Sequence, residues 1–322
     1  MTAAAAIPGE VSTRGLTKRY RLDVALDQLD LDVPAGCVFG FLGPNGAGKT
    51  TTLRLLTGLA RPTAGTATVA GIDSTTGGRA LARQIGALDQ DPRYYGWMTG
   101  RELLTFVGRL HGLDGAALRA RVEEVLEMIG LVEAGRRRIG GYSGGMRQRL
   151  GVGQAMLPRP AVLFLDEPVS SLDPAGRRDV LELIGRLRGT CTVFMSTHIL
   201  NDVERVCDRV GILNHGRLVT EAPMAELLAG HARPILELDP EPDQDVAVAA
   251  LAATVRKQPW SREVRVEHGL IRIFVTDVER ATGEVLPLVV ASGIRLARFE
   301  RVRPTLEDVF LALVGTAGAV LA

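Results

Sequence analysis

An apolar pentapeptide, Val38-Phe39-Gly40-Phe41-Leu42, runs without a break into Gly43-Pro44-Asn45-Gly46-Ala47-Gly48-Lys49-Thr50-Thr51. That junction limits what the chain can fold into more than any other stretch. Consecutive apolar residues without polar alternation read as a strand buried on both faces. The residues after it fit G-x-x-x-x-G-K-[ST]. In such a turn the backbone N–H groups converge on phosphate and the last residues open a helix. A helix is expected through Thr50–Thr57, stopped by Gly58 with Pro62 beyond it. Buried strand, phosphate loop and helix in that order call for a parallel sheet covered on both faces, with its site at the strands' carboxyl ends. Lys49 would then reach the β/γ phosphates of a nucleotide, and the Thr50 hydroxyl would suit Mg²⁺.

Two further apolar strands end in polar residues. Ala161-Val162-Leu163-Phe164-Leu165 runs into Asp166-Glu167-Pro168, and Cys191-Thr192-Val193-Phe194-Met195 into Ser196-Thr197-His198. Asp166 can hold Mg²⁺ through water, and Glu167 can polarise an attacking water as general base. Adjacent strand residues point to opposite sides, so the two carboxylates can divide these tasks. His198, ending a strand on the same edge, would bond the γ-phosphate or that water. Gln90, in Leu88-Asp89-Gln90-Asp91-Pro92, could complete the Mg²⁺ shell, and Tyr20, in Leu16-Thr17-Lys18-Arg19-Tyr20, could stack on adenine. Residue type alone says little about these last two.

Between the loop and the carboxylates lies Tyr142-Ser143-Gly144-Gly145-Met146-Arg147-Gln148-Arg149. Its glycines admit an anion close to backbone N–H groups, and the basic helix that follows directs its positive end the same way. One chain thus carries two phosphate-binding devices, which serve either one nucleotide or two molecules.

These elements, in this order, resemble the ATP-binding cassette (ABC) ATPases over roughly residues 10–222. The resemblance implies an α/β P-loop NTPase core with a helical subdomain at about 90–158, and it implies ATP and Mg²⁺ as ligands. By the same resemblance Tyr20 is the adenine-stacking aromatic, Gly43–Thr51 the Walker A loop, and Gln90 the Q-loop glutamine. Tyr142–Arg149 is the signature, with Ser143, Gly144 and Gly145 its nucleotide-binding residues. Asp166 and Glu167 are the Walker B carboxylates, Ser171-Leu172-Asp173 is the D-loop, and His198 is the switch histidine. Two cassettes of this family meet head to tail, so Ser143 and Gly145 of one face the γ-phosphate held by Lys49 of the other. Intact Glu167 and His198 would give a homodimer two competent sites. Tyr142 stands where the family usually has leucine, which could alter packing against the partner's nucleotide, and Asp89 stands where proline is frequent.

The rest of the chain narrows the expectation. At 322 residues, 46% hydrophobic and 23% charged, it holds about two domains with a sizeable core. Those domains are expected at 10–230 and 235–322, with a linker at Gly230–Pro234. The second reads β-α-β-β-α-β (235–238, 245–255, 264–267, 270–275, 278–291, 295–301), a ferredoxin-like order, with a closing helix after Pro304 that carries Leu306, Val309, Phe310 and Leu313. Its Arg303-Pro304-Thr305-Leu306-Glu307-Asp308-Val309-Phe310 resembles the ending of bacterial drug-export ATPases of the daunorubicin-resistance type. A net charge of +1 argues against a nucleic-acid partner, and Arg136-Arg137-Arg138 reads as solvated surface. Cys37, Cys191 and Cys207 lack metal-ligand spacing and fit a reducing compartment. Residues 1–9 do not read as a signal peptide, and no uncharged stretch approaches about 20 residues, so any membrane role must come through a partner.

The expectation is therefore an ATPase subunit of a drug, antibiotic or lipid exporter, peripheral on the cytoplasmic face of the membrane through a separate permease, and paired with a second ATPase subunit. Tyr94, Tyr95 and Trp97, crowded into the loop after Gln90, are expected to receive a cytoplasmic helix of that permease. An importer ATPase is the near rival. A non-transport cassette of translation or DNA repair is disfavoured by the absence of tandem cassettes, a long coiled coil or zinc-spaced cysteines. A regulatory module without turnover is disfavoured by Glu167.

Overall fold

The computed structural model describes residues 9–21, 23–230 and 235–319; residues 1–8 and most of the expected linker, 231–234, lie outside the described residues. The chain divides into two compact units, up to Met224 and from Ala225.

The first unit begins with β1 (Val11–Tyr20) and β2 (Asp23–Val33), an antiparallel hairpin, followed by β3 (Val38–Leu42) and the phosphate loop. Next come α1 (Lys49–Leu56), β4 (Ala64–Val69), β5 (Ile72–Asp73), α2 (Gly78–Gln84) and β6 (Ile85–Leu88). The inserted helices are α3 (Gly100–Leu110), α4 (Gly115–Met128) and α5 (Gly144–Met156). The core then resumes with β7 (Val162–Asp166), α6 (Pro174–Arg186), β8 (Thr192–Thr197), α7 (Leu200–Val206), β9 (Arg209–Asn214) and β10 (Arg217–Pro223), and α8 (Met224–Gly230) crosses the boundary into the second unit.

The central sheet has the order β10-β9-β3-β8-β7-β6, parallel from β9 to β6, with β10 an antiparallel edge. Phe39, Phe41, Phe164 and Phe194 lie at its middle with no exposed surface, and Phe194 meets the other three rings at 5.2–5.7 Å. Register sets the site. Leu42 pairs with Thr197, and Asp166 with Ser196, so the phosphate loop, Glu167 and His198 all leave the sheet at one edge.

The antiparallel sheet β2-β1-β4-β5 has no counterpart in the sequence reading. Register shifts between Thr13 and Leu16, and again between Leu16 and Lys18, break the alternation by which a half-buried strand is recognised. Within the helical subdomain, the apolar spacing from Gly100 to Met128 is carried by two helices. Gly112 takes φ 81 and closes α3, and Asp114 is extended ahead of α4. The apolar spacing continues across the break because α3 and α4 both pack on α5.

The second unit is ferredoxin-like, in the order read from the sequence: β11 (Ile235–Pro240), α9 (Asp245–Val255), β12 (Ser261–Glu267), β13 (Leu270–Val275), α10 (Val278–Ser292) and β14 (Leu296–Val302). The sheet order is β12-β13-β11-β14, all antiparallel. One sheet face buries Leu236, Leu238, Ile271 and Ile273 against Val248, Leu251, Val285 and Trp260. The closing helix α11 (Leu306–Ala319) is fixed by Asp308. This carboxylate accepts from the Thr305 N–H and hydroxyl, both at 2.9 Å, and takes a bidentate bond from Arg272 at 2.7 and 3.0 Å.

Candidate functional site

The phosphate loop is built by backbone constraint. Gly48 takes φ 110, and a Cβ there would fall 2.4 Å from the Ala25 carbonyl oxygen on β2, so only glycine lets the loop pass under the β1–β2 hairpin. The loop lines a cleft of about 180 Å³ whose walls are Ala25 and Asn45 to Thr51. Lys49 is buried beneath it, donating to the Gly43 carbonyl at 2.7 Å and the Pro44 carbonyl at 3.3 Å. Burial lowers its pKa, and the Glu167 carboxylate, 3.6 Å away, opposes that fall.

Glu167 is held from several sides. It follows β7 with φ 47, a strained value for a residue with a side chain. Its N–H donates to the Ser196 carbonyl at 3.0 Å. Its Oε1 lies 2.9 Å from His198 Nδ1, and its Oε2 accepts from the Thr197 hydroxyl at 3.3 Å. Asp166 turns the other way and takes the Ser196 hydroxyl. It shares a small, mostly apolar concavity with Thr50, Arg54, Leu88, Asp89 and Phe164, in which the Thr50 hydroxyl and the Asp166 carboxylate are oxygens of the kind a hard divalent ion prefers. Gln90, exposed one position beyond, is not among the residues lining it.

The signature turn opens α5, with the Ser143 hydroxyl accepting from the Met146 N–H at 3.2 Å. It does not line the phosphate-loop cleft. Instead it rests on the D-loop side of its own chain, where a Cβ on Gly144 would meet Leu172 at 3.5 Å. Asp173 caps α6 through the Gly176 N–H at 3.1 Å. The site therefore comes as two groups: Lys49, Glu167, His198, Asp166 and Thr50 in one, Ser143–Gly145 with Asp173 in the other. Tyr20 sits at the end of β1, 44% exposed, with the Lys18 ammonium 4.9 Å from its ring centre.

The comparisons with known proteins decide the family. The model of the ABC transporter family matches residues 26–170. The ABC transporter ATP-binding protein YxlF of Bacillus subtilis is 38% identical, covering 94% of this chain and 99% of the relative. The daunorubicin resistance ATP-binding protein DrrA3 of Streptomyces coeruleorubidus is also 38% identical (95% and 96% covered). The chain belongs to the ABC transporter ATP-binding proteins. The bacitracin transport ATP-binding protein BcrA of Bacillus licheniformis is 35% identical, covering 95% and 97%. Among solved structures, an ATP-binding subunit of an ABC transporter superposes at TM-score 0.62 with 27% identity, over 69% of this chain and 92% of that one. CbiO1 of Clostridium perfringens does so at 0.64 with 25% identity, over 69% and 91%. Proteins of this family bind ATP and hydrolyse it. Among the described residues no helix is long and apolar enough to cross a membrane.

Two expectations about this ABC protein are corrected. Tyr142, expected to alter packing against a partner's nucleotide, is buried at 4% exposure within its own helical subdomain. Its hydroxyl donates to the Ala134 carbonyl at 2.7 Å and lies where a side chain at Gly100 would stand. Tyr94 does not share the surface of its neighbours. Its hydroxyl is buried against Gly151 of α5, and burial raises its pKa, while Tyr95 and Trp97 are 64% and 68% exposed, their rings 5.9 Å apart. Sequence reasoning missed Ser196 and Thr197, which orient the two carboxylates. Their signal was present: two hydroxyl residues directly ahead of His198 at the end of an apolar strand.

Proposed function

We propose that this chain is the ATP-hydrolysing subunit of an exporter, bound at the cytoplasmic face of a membrane to a separate permease. It works as a dimer, with each nucleotide shared between subunits. One observation carries the shared site. The Ser143–Gly145 turn lies outside the cleft that Ala25 and Asn45 to Thr51 enclose, so its N–H groups are available to the phosphate of another molecule.

Within each site, Lys49 leaves the Gly43 and Pro44 carbonyls for the β/γ phosphates. Glu167 takes a proton from the attacking water, and His198, on the same carboxylate oxygen, steadies that water or the γ-phosphate. Thr50 would hold Mg²⁺ directly and Asp166 through water, with Gln90 completing the shell; the ion, when bound, neutralises phosphate charge. Tyr20 stacks on adenine. Asp173 belongs with Ser143–Gly145 to the surface turned to the second subunit. Tyr95 and Trp97 receive the permease. Export is supported by relatives named for daunorubicin resistance and bacitracin transport, whose likeness extends along 95% of the chain and so includes the ferredoxin-like unit.

Ser143→Arg should bind a fluorescent ATP analogue much as wild type does, while turnover falls about 100-fold or more. Undiminished turnover would remove the shared site from the account. Co-expressed with its permease in a drug-sensitive host, the chain should confer resistance that Glu167→Gln abolishes. Resistance indifferent to that substitution would refute export.

A further inference from the structure

The first turn of α6 touches the signature group directly and reaches, on its other side, the helix that follows His198. A Cβ on Gly145, in the signature, would fall 3.1 Å from the Gly176 Cα, and a Cβ on Gly176 would fall 3.4 Å from the Gly145 Cα. The first turns of α5 and α6 thus meet backbone to backbone, with no side chain between them to absorb a relative movement. The next residue reaches the opposite way. Arg177 Nε lies 2.8 and 3.1 Å from the two carboxylate oxygens of Asp202, and its Nη2 lies 2.8 Å from Oδ1. Asp202 is 3% exposed, in the first turn of α7, four residues after His198. Beside this pair the helices do not close on each other. A groove of about 320 Å³, bordered by Leu172, Pro174 and Asn201, runs between them. Apolar packing at that end does not duplicate what the ion pair does.

We propose that Gly176 and Arg177 are positioning residues. They tie the signature turn, which serves the other subunit's nucleotide, to His198, which serves the chain's own. A displacement of Ser143–Gly145 on meeting a partner's γ-phosphate passes through the Gly145–Gly176 contact into α6. It then passes through Arg177–Asp202 into α7, where it resets His198 against Glu167. The bidentate geometry matters here, because a planar guanidinium on both carboxylate oxygens transmits rotation as well as distance. The inference rests on the shared-site reading above.

The test uses the full-length chain. Arg177→Ala should bind ATP within about twofold of wild type but lose kcat by roughly tenfold to 100-fold, the scale of a misplacement near 1 Å. Asp202→Asn should reproduce the loss, and Arg177→Lys should recover part of it. Thermal melts identify any variant that fails to fold, and the Lys variant then carries the comparison. Dimers mixed from one Arg177→Ala chain and one wild-type chain separate a relay from local support. The tie works in both directions and so predicts turnover well below half of wild type: without Arg177–Asp202 the altered chain's His198 is unset, and its α6 no longer holds Gly145 in place for the partner's nucleotide. Half of wild-type turnover, or a kcat that falls only with the folded fraction, would overturn the proposal. If wild type itself fails to hydrolyse ATP, or Ser143→Arg does not slow it, the shared-site reading fails first and the relay falls with it.

Discussion

Replacing Tyr142 by phenylalanine removes one oxygen from a buried position and tests which way this residue faces. The lost bond is the 2.7 Å donation to the Ala134 carbonyl. That carbonyl also accepts the Arg137 N–H at 2.8 Å, so it is left singly bonded and not orphaned. The cost should therefore stay near that of an ordinary hydrogen bond, about 0.5–1.5 kcal/mol, without the added penalty of a stranded buried acceptor. In a unit of this size each kcal/mol lowers Tm by about 2–4 °C. Urea denaturation followed by fluorescence should show a lower midpoint at unchanged slope, because the ring still fills its place. Turnover and the KM for ATP should match wild type, since the phenol faces the helical subdomain and not a nucleotide. Unchanged stability with a shifted KM or kcat would refute the placement of this side chain.

Further outcomes follow from other parts of the molecule. Gly48→Ala forces a side chain onto φ 110 and against the Ala25 oxygen, so it should abolish ATP binding and lower stability by about 1–3 kcal/mol from strain alone, as calorimetry with ATP can read. Trp97→Ala should change stability by less than about 0.5 kcal/mol and leave the isolated chain's turnover intact, yet remove its stimulation by the permease; stimulation equal to wild type would take Trp97 out of the permease surface. Burial pushes the Cys37 thiol up to about 11 and Cys191 up to about 12, whereas unfolded thiols ionise near pH 8.5. The unfolded chain then loses these protons first, so stability should decline from about pH 9 upward, and a triple Cys→Ser variant should decline less over that range. Identical slopes would remove the thiols as the cause.

How far the sequence could be read depends on whether a residue's partner lies nearby in the chain. β3, β7 and β8 were legible because strands buried on both faces are apolar without interruption, and their ends marked the site edge at Gly43, Glu167 and His198. The ferredoxin-like order was legible because its strands and helices alternate cleanly between turns. β1 was not, because its bulges shift the buried face partway along the strand. The direction of Tyr142 was invisible for a different reason. Its partners Ala134 and Gly100 are fixed only once α3 and α5 pack together. The Arg177–Asp202 pair spans two helices, and nothing local to either residue announces it. Gly145 and Gly176 likewise look like separate glycines until the first turns of α5 and α6 are brought together.

The central claim is that one nucleotide site takes two chains. Light scattering on the Glu167→Gln protein in ATP and Mg²⁺ tests it most directly, with the doubly substituted Glu167→Gln, Ser143→Arg protein as control. The account predicts a particle of twice the 34.5 kDa chain for the first. It predicts a monomer for the second. A monomer in both, or a dimer that persists with arginine at position 143, would contradict it.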